Sequence, residues 1–256
     1  IKSLIQKNSY KKRILFFPRI PHKRSTIYKI CKNLGIKIIV NAKEYHDLGF
    51  FWEDATFSDA VNRNIKSNLL NAGCSNISKE YVDVIFNEIF GYSVNINPLT
   101  HKGKVLMKSN ENAQHDGQII DAPVNKVEKG YVYQKIINNQ YSNNYVVDIR
   151  VPIIGKDIPF VYFKFKKDDV RFTNSITRVE IHSTSVVFIE KEIENILLFC
   201  SRIGLGFGEL DILRDNNDKR IYIIDVNKTP WGPPATISPA KAKYALCKLS
   251  NTFTKE

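Results

Sequence analysis

Two apolar rhythms run through the first fifty residues. Arg13–Phe17 (RILFF) is a short apolar run stopped by Pro18, and Ser25–Leu34 (STIYKICKNL) repeats apolar residues at helical spacing up to Gly35. A glycine suits the left-handed residue that closes a helix, so this segment predicts a strand followed by a helix. Ile36–Val40 (IKIIV) and Leu48–Trp52 (LGFFW) are further apolar runs of strand length. Strands interleaved with a helix predict a parallel α/β unit.

Farther along, Ser78 is placed to cap a helix over Lys79–Phe90, which Gly91 closes. Lys104–Lys108 (KVLMK) reads as a strand, Asn110–Gly117 (NENAQHDG) as a polar loop and Tyr131–Ile137 (YVYQKII) as another strand. After a polar turn at Asn138–Asn144, Tyr145–Val151 and Ile158–Lys166 bracket Gly155-Lys156-Asp157 and predict a hairpin. Ile189–Ile203 predicts a helix ended by Gly204, and Phe207–Arg214 and Arg220–Asn227 predict two last strands. With no internal repeat and no long linker, the best boundary is near residue 75, dividing a small α/β domain (1–75) from a larger one (76–256).

Composition narrows the class. The 256 residues are 43% hydrophobic and 25% charged, the balance of a soluble globular protein with a real core. No apolar run has the length of a membrane span, and basic Ile1–Arg13 lacks the apolar stretch of a secretory signal. The sequence begins with Ile1 rather than Met and leaves open whether the native start is present. Cys31, Cys74, Cys200 and Cys247 are far apart, without zinc or disulfide-framework spacing, so they read as reduced thiols in a cytoplasmic protein. The formal charge of +12 has two readings: an enzyme for anionic substrates, or the Lys, Asn and Ile bias of an AT-rich genome. No helix-turn-helix, zinc-finger or RNP-like pattern points to nucleic acid. Oligomeric state is not readable.

The strongest chemical signal is Gly208–Pro234 (GELDILRDNNDKRIYIIDVNKTPWGPP). Side chains alternate between the faces of a strand, so Glu209, Asp211 and Leu213 share one face, and Ile221, Ile223, Asp225 and Asn227 share one face of the next. A two-residue turn at Asn216-Asn217 opposes Asp211 to Tyr222, whereas a loop over Asn216–Arg220 opposes Asp211 to Asp225 and is compatible with matching Leu213 to Ile223. The longer loop is the expectation. Facing carboxylates repel unless a cation sits between them, and hard oxygen ligands suit Mg²⁺, whose remaining positions take water and phosphate.

Here the chain resembles the ATP-grasp superfamily, over roughly residues 76–234. Asp211 followed by Asp225-Val226-Asn227-Lys228-Thr229-Pro230 looks like that family's metal-binding acid and its acidic-x-Asn strand ending in a proline turn. Tyr145–Val151 (YVVDIRV) resembles the Asp-Ile-Arg strand of the glutamate-adding, ribosomal-protein-modifying branch. Arg171-Phe172-Thr173-Asn174 is similar to that branch's Phe-Arg-x-Asn segment with two residues exchanged. The resemblance implies an ATP-grasp fold, with residues 76–137 and 138–256 as two subdomains and residues 1–75 as a pre-ATP-grasp-like domain. It implies Lys79 and Lys108 as phosphate-binding lysines, and Gln134, Lys135, Ile136 and Ile137 as the adenine hinge. His115 and Gly117 fall in its nucleotide-covering loop, where one glycine stands in place of several and Asn110, Asn112 and His115 could substitute side-chain contacts. Asp211, Asp225 and Asn227 are then the ligands of Mg²⁺, with Mn²⁺ as an alternative, and Arg150, Arg171 and Asn174 are the catalytic group. Asp225 stands where most ligases carry Glu, as in the inositol-phosphate kinase branch.

Three functions are compatible with these residues. One is a carboxylate–amine (or –thiol) ligase working through an acyl-phosphate, with an anionic small-molecule, glycan or peptide acceptor. Another is a kinase acting on a sugar or polyol hydroxyl. The third is a nucleotide-fold binding module without turnover. Phe50-Phe51-Trp52-Glu53-Asp54 either lines the acceptor site or packs between domains, Trp231-Gly232-Pro233-Pro234 is placed to wall the acceptor pocket, and Arg178 and His182 belong by analogy to an acceptor-side loop.

Overall fold

The computed structural model describes residues 12–59, 69–114, 116–173 and 175–256. It begins with β1 (Arg13–Pro18), α1 (Thr26–Leu34), β2 (Lys37–Ile39), β3 (Leu48–Trp52) and β4 (Leu69–Leu70). These strands form a wholly parallel sheet in the order β2-β1-β3-β4. The Ser25 hydroxyl accepts from the Tyr28 N–H at the start of α1, and Gly35 closes the helix at φ 67, a region costly for residues with a Cβ. The parallel unit thus matches its apolar pattern.

The chain then forms α2 (Lys79–Phe90), β5 (Gly103–Ser109), β6 (Gln118–Ala122) and β7 (Tyr131–Gln134). The three strands make an antiparallel sheet in the order β6-β5-β7 over a small core of Val105, Ala122 and Tyr133. The strand expected to run to Ile137 stops at Gln134. Beyond it the Lys135 N–H donates to the Val94 carbonyl, and the Ile137 carbonyl accepts from Asn139 and Arg171, so the chain leaves the ladder and becomes a hinge.

Next come β8 (Gln140–Ser142), β9 (Tyr145–Ile154), β10 (Val161–Lys167), β11 (Arg178–His182), α3 (Thr184–Val187), α4 (Glu190–Ile203), β12 (Phe207–Arg214), β13 (Ile221–Asn227) and α5 (Pro239–Phe253). The larger sheet is antiparallel, ordered β11-β10-β9-β12-β13, and β8 pairs with the start of β9, which β12 does not reach. Half of the expected polar turn is therefore a strand. Arg178 and His182, expected in a loop, stand on β11 instead, over the rings of Phe165 and Phe163 respectively.

Alternation on β9 gives the large sheet two unlike faces. Val147, Ile149, Val151 and Ile153 enter a core with Val82, Phe86, Ile196, Phe199 and Ile203 of α2 and α4. Asp148 and Arg150 take the opposite face, with Lys164 and Lys166 of β10. At one end that face turns apolar: Ile154, Phe160, Tyr162 and Phe207 share a core with Ile14, Phe16, Ile27 and Phe50 of the N-terminal unit and Ala245, Leu249 and Phe253 of α5. The N-terminal unit and α5 thus cover one end of this face and leave its charged end open. α5, absent from the sequence expectation, starts with a Ser238 cap and Pro239, signals that mark a helix start.

Candidate functional site

The β12–β13 ladder sets Asp211 opposite Asp225 and Glu209 opposite Asn227, so the expected longer connection is present. It spans residues 215–220 and is closed by the Asp215 N–H donating to the Arg220 carbonyl. The matching of Leu213 with Ile223 does not occur. The register shifts between Asp211 and Ile212, which puts Ile212 opposite Ile223 and Leu213 opposite Tyr222. This bulge breaks the two-residue alternation. Ile224 and Asp225 both reach the cavity, while Ile223 is buried in the core behind it.

A cavity of about 440 Å³ lies over the charged face. That volume suits a small-molecule or cofactor site. Lys79, Lys108, Gly117, Gln134, Lys135, Ile136, Ile137, Arg150, Arg171, Asp211, Asp225 and Asn227 all line it. His115 and Asn174 lie outside the described residues.

Charge is concentrated at one end. The Arg150 guanidinium donates from Nε to Asp211 Oδ1 and from Nη2 to Oδ2, both at 3.0 Å, and Lys164 Nζ donates to Oδ1 at 2.8 Å. Arg150 Nη1 also lies 3.3 Å from Glu209 Oε2, a charge contact without hydrogen-bond geometry. Beside this cluster, Lys166 pairs with Asp148 at 2.7 Å. Burial alone would raise the Asp211 carboxyl, but Arg150 and Lys164 outweigh it and hold it well below the usual carboxylate range. Asp225 is shifted the other way: burial and then Asp211 push it up, against Lys79, Lys108 and Arg150. Burial pushes Glu209 up to about 7, and burial with neighbouring Lys79 brings Lys108 down to about 8.

Lone-pair counting tests whether a dication fits this donor set. A carboxylate offers about four acceptor positions. Arg150 and Lys164 take three on Asp211, leaving one at Oδ2. Asn227 Oδ1 accepts from the Thr229 N–H and keeps one more position. No donor among the described residues bonds to Asp225, a half-buried acid beside another acid. One fully available carboxylate, one partly engaged carboxylate and one amide oxygen fit a hard cation that completes its shell with water and phosphate. Among the described residues no group of three or more His, Cys, Asp or Glu side chains is placed to hold a metal; the third oxygen donor in this set is the Asn227 amide.

The opposite end is apolar and braced from outside. Ile77, Val94, Leu106, Leu213 and Ile224 give the cavity an apolar lining suited to a flat base, with Leu106 paired to Gln134 and the Val94 carbonyl accepting from the Lys135 N–H. Lys135 points its ammonium away into Asp215 at 2.7 Å, Asp218 at 2.8 Å and Tyr222 Oη at 3.0 Å. Arg171 is placed differently from the expectation: its guanidinium donates to the Ile137 carbonyl, Asn139 Oδ1 and Asp168, so it braces the hinge. In the covering loop, the Asn112 amide donates to the Val226 carbonyl of β13, and Lys79 Nζ donates to the Glu111 carbonyl.

Sequence reading missed Lys164 and Lys166 in the cavity wall, and named Asp148 and Asp54 only as members of longer motifs. The first two carried a signal, because lysines alternate with Phe163 and Phe165 on one strand. Phe50, Phe51 and Trp52 are buried, whereas Asp54 reaches the cavity and accepts from Thr229 Oγ1. Trp231 also lines the cavity, remains 54% exposed and stacks on His22 with ring centroids 5.2 Å apart.

No protein-family model matches the sequence, and no curated protein matches it. Solved structures do. The D-Ala:D-Ser ligase VanG from Enterococcus faecalis superposes with a TM-score of 0.62 at 11% identity, over 96% of this chain and 98% of that one. The ATP-grasp ligase PsnB, solved with a minimal precursor, gives 0.60 at 10% identity over 96% and 98%. The macrocyclase MdnC from Microcystis aeruginosa MRC, solved with the precursor peptide MdnA, gives 0.54 at 11% identity over 96% and 100%. The chain therefore has the ATP-grasp fold. No described helix is long and apolar enough to cross a membrane.

Proposed function

We propose that this chain is a Mg-ATP-dependent carboxylate–amine ligase acting through an acyl-phosphate. The observation that carries the reading is the pairing of Asp211 with Asp225 in one ladder, on a cavity shared with Asn227, Lys79, Lys108 and Arg150. Support comes from the structural neighbours: PsnB was solved with a minimal precursor, Mg and ADP, and VanG is a D-Ala:D-Ser ligase. Asp211, Asp225 and Asn227 would hold Mg²⁺, which when bound would supply positive charge to offset that of the ATP phosphates. Lys79 and Lys108 neutralise the phosphates, and the apolar slot beside Gln134–Ile137 takes the base. A carboxylate oxygen of the acceptor attacks the γ-phosphorus and displaces ADP. Arg150, with N–H groups beyond those on Asp211, stabilises charge gathering on the phosphoryl oxygens. An amine then attacks the acyl carbon and phosphate leaves.

The acceptor enters from the side of Trp231 and Asp54 in this reading. Residues 1–75 serve as the preceding domain, shaping that side. The decisive assay offers ATP and Mg²⁺ with candidate carboxylates and amines, singly and together. Release of free phosphate only when both are present is the expected result. Phosphate retained on an acceptor hydroxyl would replace the ligase reading with the kinase one. Failure to bind any adenine nucleotide would end both.

A further inference from the structure

Glu209 is a buried acid at the charged end of the cavity to which the reaction above gives no role. It is 3% exposed, and its Oε2 accepts no hydrogen bond. Burying an unbonded carboxylate is costly unless a charge offsets it. The charge present is Arg150, whose Nη1 is 3.3 Å away. Tyr162 Oη and Thr26 Oγ1, also buried around this end, have no hydrogen-bond partner either, so neither one neutralises the acid.

The geometry of Arg150 gives this contact a purpose. A guanidinium has five N–H donors in a fixed plane. Asp211 takes one on Nε and one on Nη2, while Glu209 attracts Nη1 from a neighbouring position on β12. Arg150 and Lys164 thus face two carboxyl groups, those of Asp211 and Glu209. A dication drawing on Asp211 weakens its hold on Arg150 and leaves Glu209 as the remaining anchor. We propose, on the basis of the ATP-dependent reading, that Glu209 is a positioning residue: it holds Arg150 so that its spare N–H groups meet the γ-phosphate rather than turning fully onto Asp211.

A simpler electrostatic view predicts the opposite sign. Glu209 is an acid beside a polyphosphate site, so its removal should tighten every nucleotide. The two views separate in Glu209→Gln, which keeps the shape and deletes the charge. Binding of Mg-AMPPNP and Mg-ADP to the wild type and the variant is measured by calorimetry, with thermal unfolding of both proteins. The expected result is about tenfold weaker Mg-AMPPNP binding, the size of one lost charge-assisted hydrogen bond, with Mg-ADP within about twofold. Tighter binding of both nucleotides, or an equal loss for both, overturns the positioning role. Glu209→Leu serves as the second variant if Glu209→Gln misfolds, with the same pattern required. A wild type that binds neither nucleotide sinks the ATP reading itself, which the variant comparison then never reaches.

Discussion

The two ends of the cavity are built on opposite principles. At the charged end, Arg150, Lys164, Asp211 and Glu209 meet within hydrogen-bond or ion-pair distance, with Asp225 opposite Asp211 in the ladder. At the hinge end, Val94, Leu106 and Ile224 form an apolar slot, and the charges of Lys135 and Arg171 are turned outward or onto backbone. Charges that face the cavity are available for chemistry; charges that face away only hold the wall. Substitutions at the first end should therefore alter turnover, and at the second mainly affinity and stability.

Asp225→Asn tests the first half of that contrast most severely. Turnover with Mg-ATP should fall about a thousandfold, the scale of losing a preorganised electrostatic contact. Thermal unfolding should stay level or move up, because partial burial and neighbouring Asp211 both disfavour the Asp225 charge. A drop in stability that accounts for the lost activity would make Asp225 part of the scaffold.

Lys108 gives a pH signature. Burial and Lys79 lower it to about 8 in the free protein, and bound phosphate should raise it again. Nucleotide affinity is thus complete below pH 8 and should fall by up to about tenfold per pH unit above it. Lys108→Arg, which stays charged, should flatten the profile. Stability responds with the other sign: the unfolded lysine, near 10.5, binds the proton more tightly than the folded one, so between about 8 and 10.5 this group adds stability as pH rises.

Trp231→Ala should raise the acceptor KM by up to about tenfold, the value of a lost stacking surface, with Mg-ATP affinity within twofold. Equal losses for nucleotide and acceptor would place the ring outside the acceptor path. The smallest functional effect is expected at the hinge. Lys135→Met should weaken ATP about threefold while costing on the order of 2 kcal/mol of stability, since Asp215 loses its counter-charge. The partly exposed Lys135 keeps that cost below that of a fully buried pair. Chemical denaturation and nucleotide titration of the same variant measure both numbers.

The boundaries of α1, α2 and α4 were legible because local chemistry sets them: Ser25 and Ser78 accept from N–H groups three residues on, and Gly35, Gly91 and Gly204 take left-handed angles. The parallel order of β1, β2 and β3 followed from apolar runs separated by α1. Less visible were the polar strands β6 and β8, whose residues are mostly exposed and owe their strand form to neighbours across the ladder. The described candidate residues do line one cavity, yet the partners of Arg171 and Lys135 were not readable, because residues far away in the chain supply them.

By itself the sequence determined the alternation that gives β9, β10, β12 and β13 one apolar and one charged face, since side-chain direction along a strand is a local property. It also determined which oxygen and nitrogen donors were available. Tertiary structure decided the bulge beside Asp211, which sends Ile223 into the core and Ile224 with Asp225 toward the cavity. It also decided that Asp211 is gripped by Arg150 and Lys164 while Asp225 is left open. The physical reason is that register and ion pairing depend on which strands become neighbours, and that choice belongs to the packing of the whole sheet against α2, α4 and the N-terminal unit.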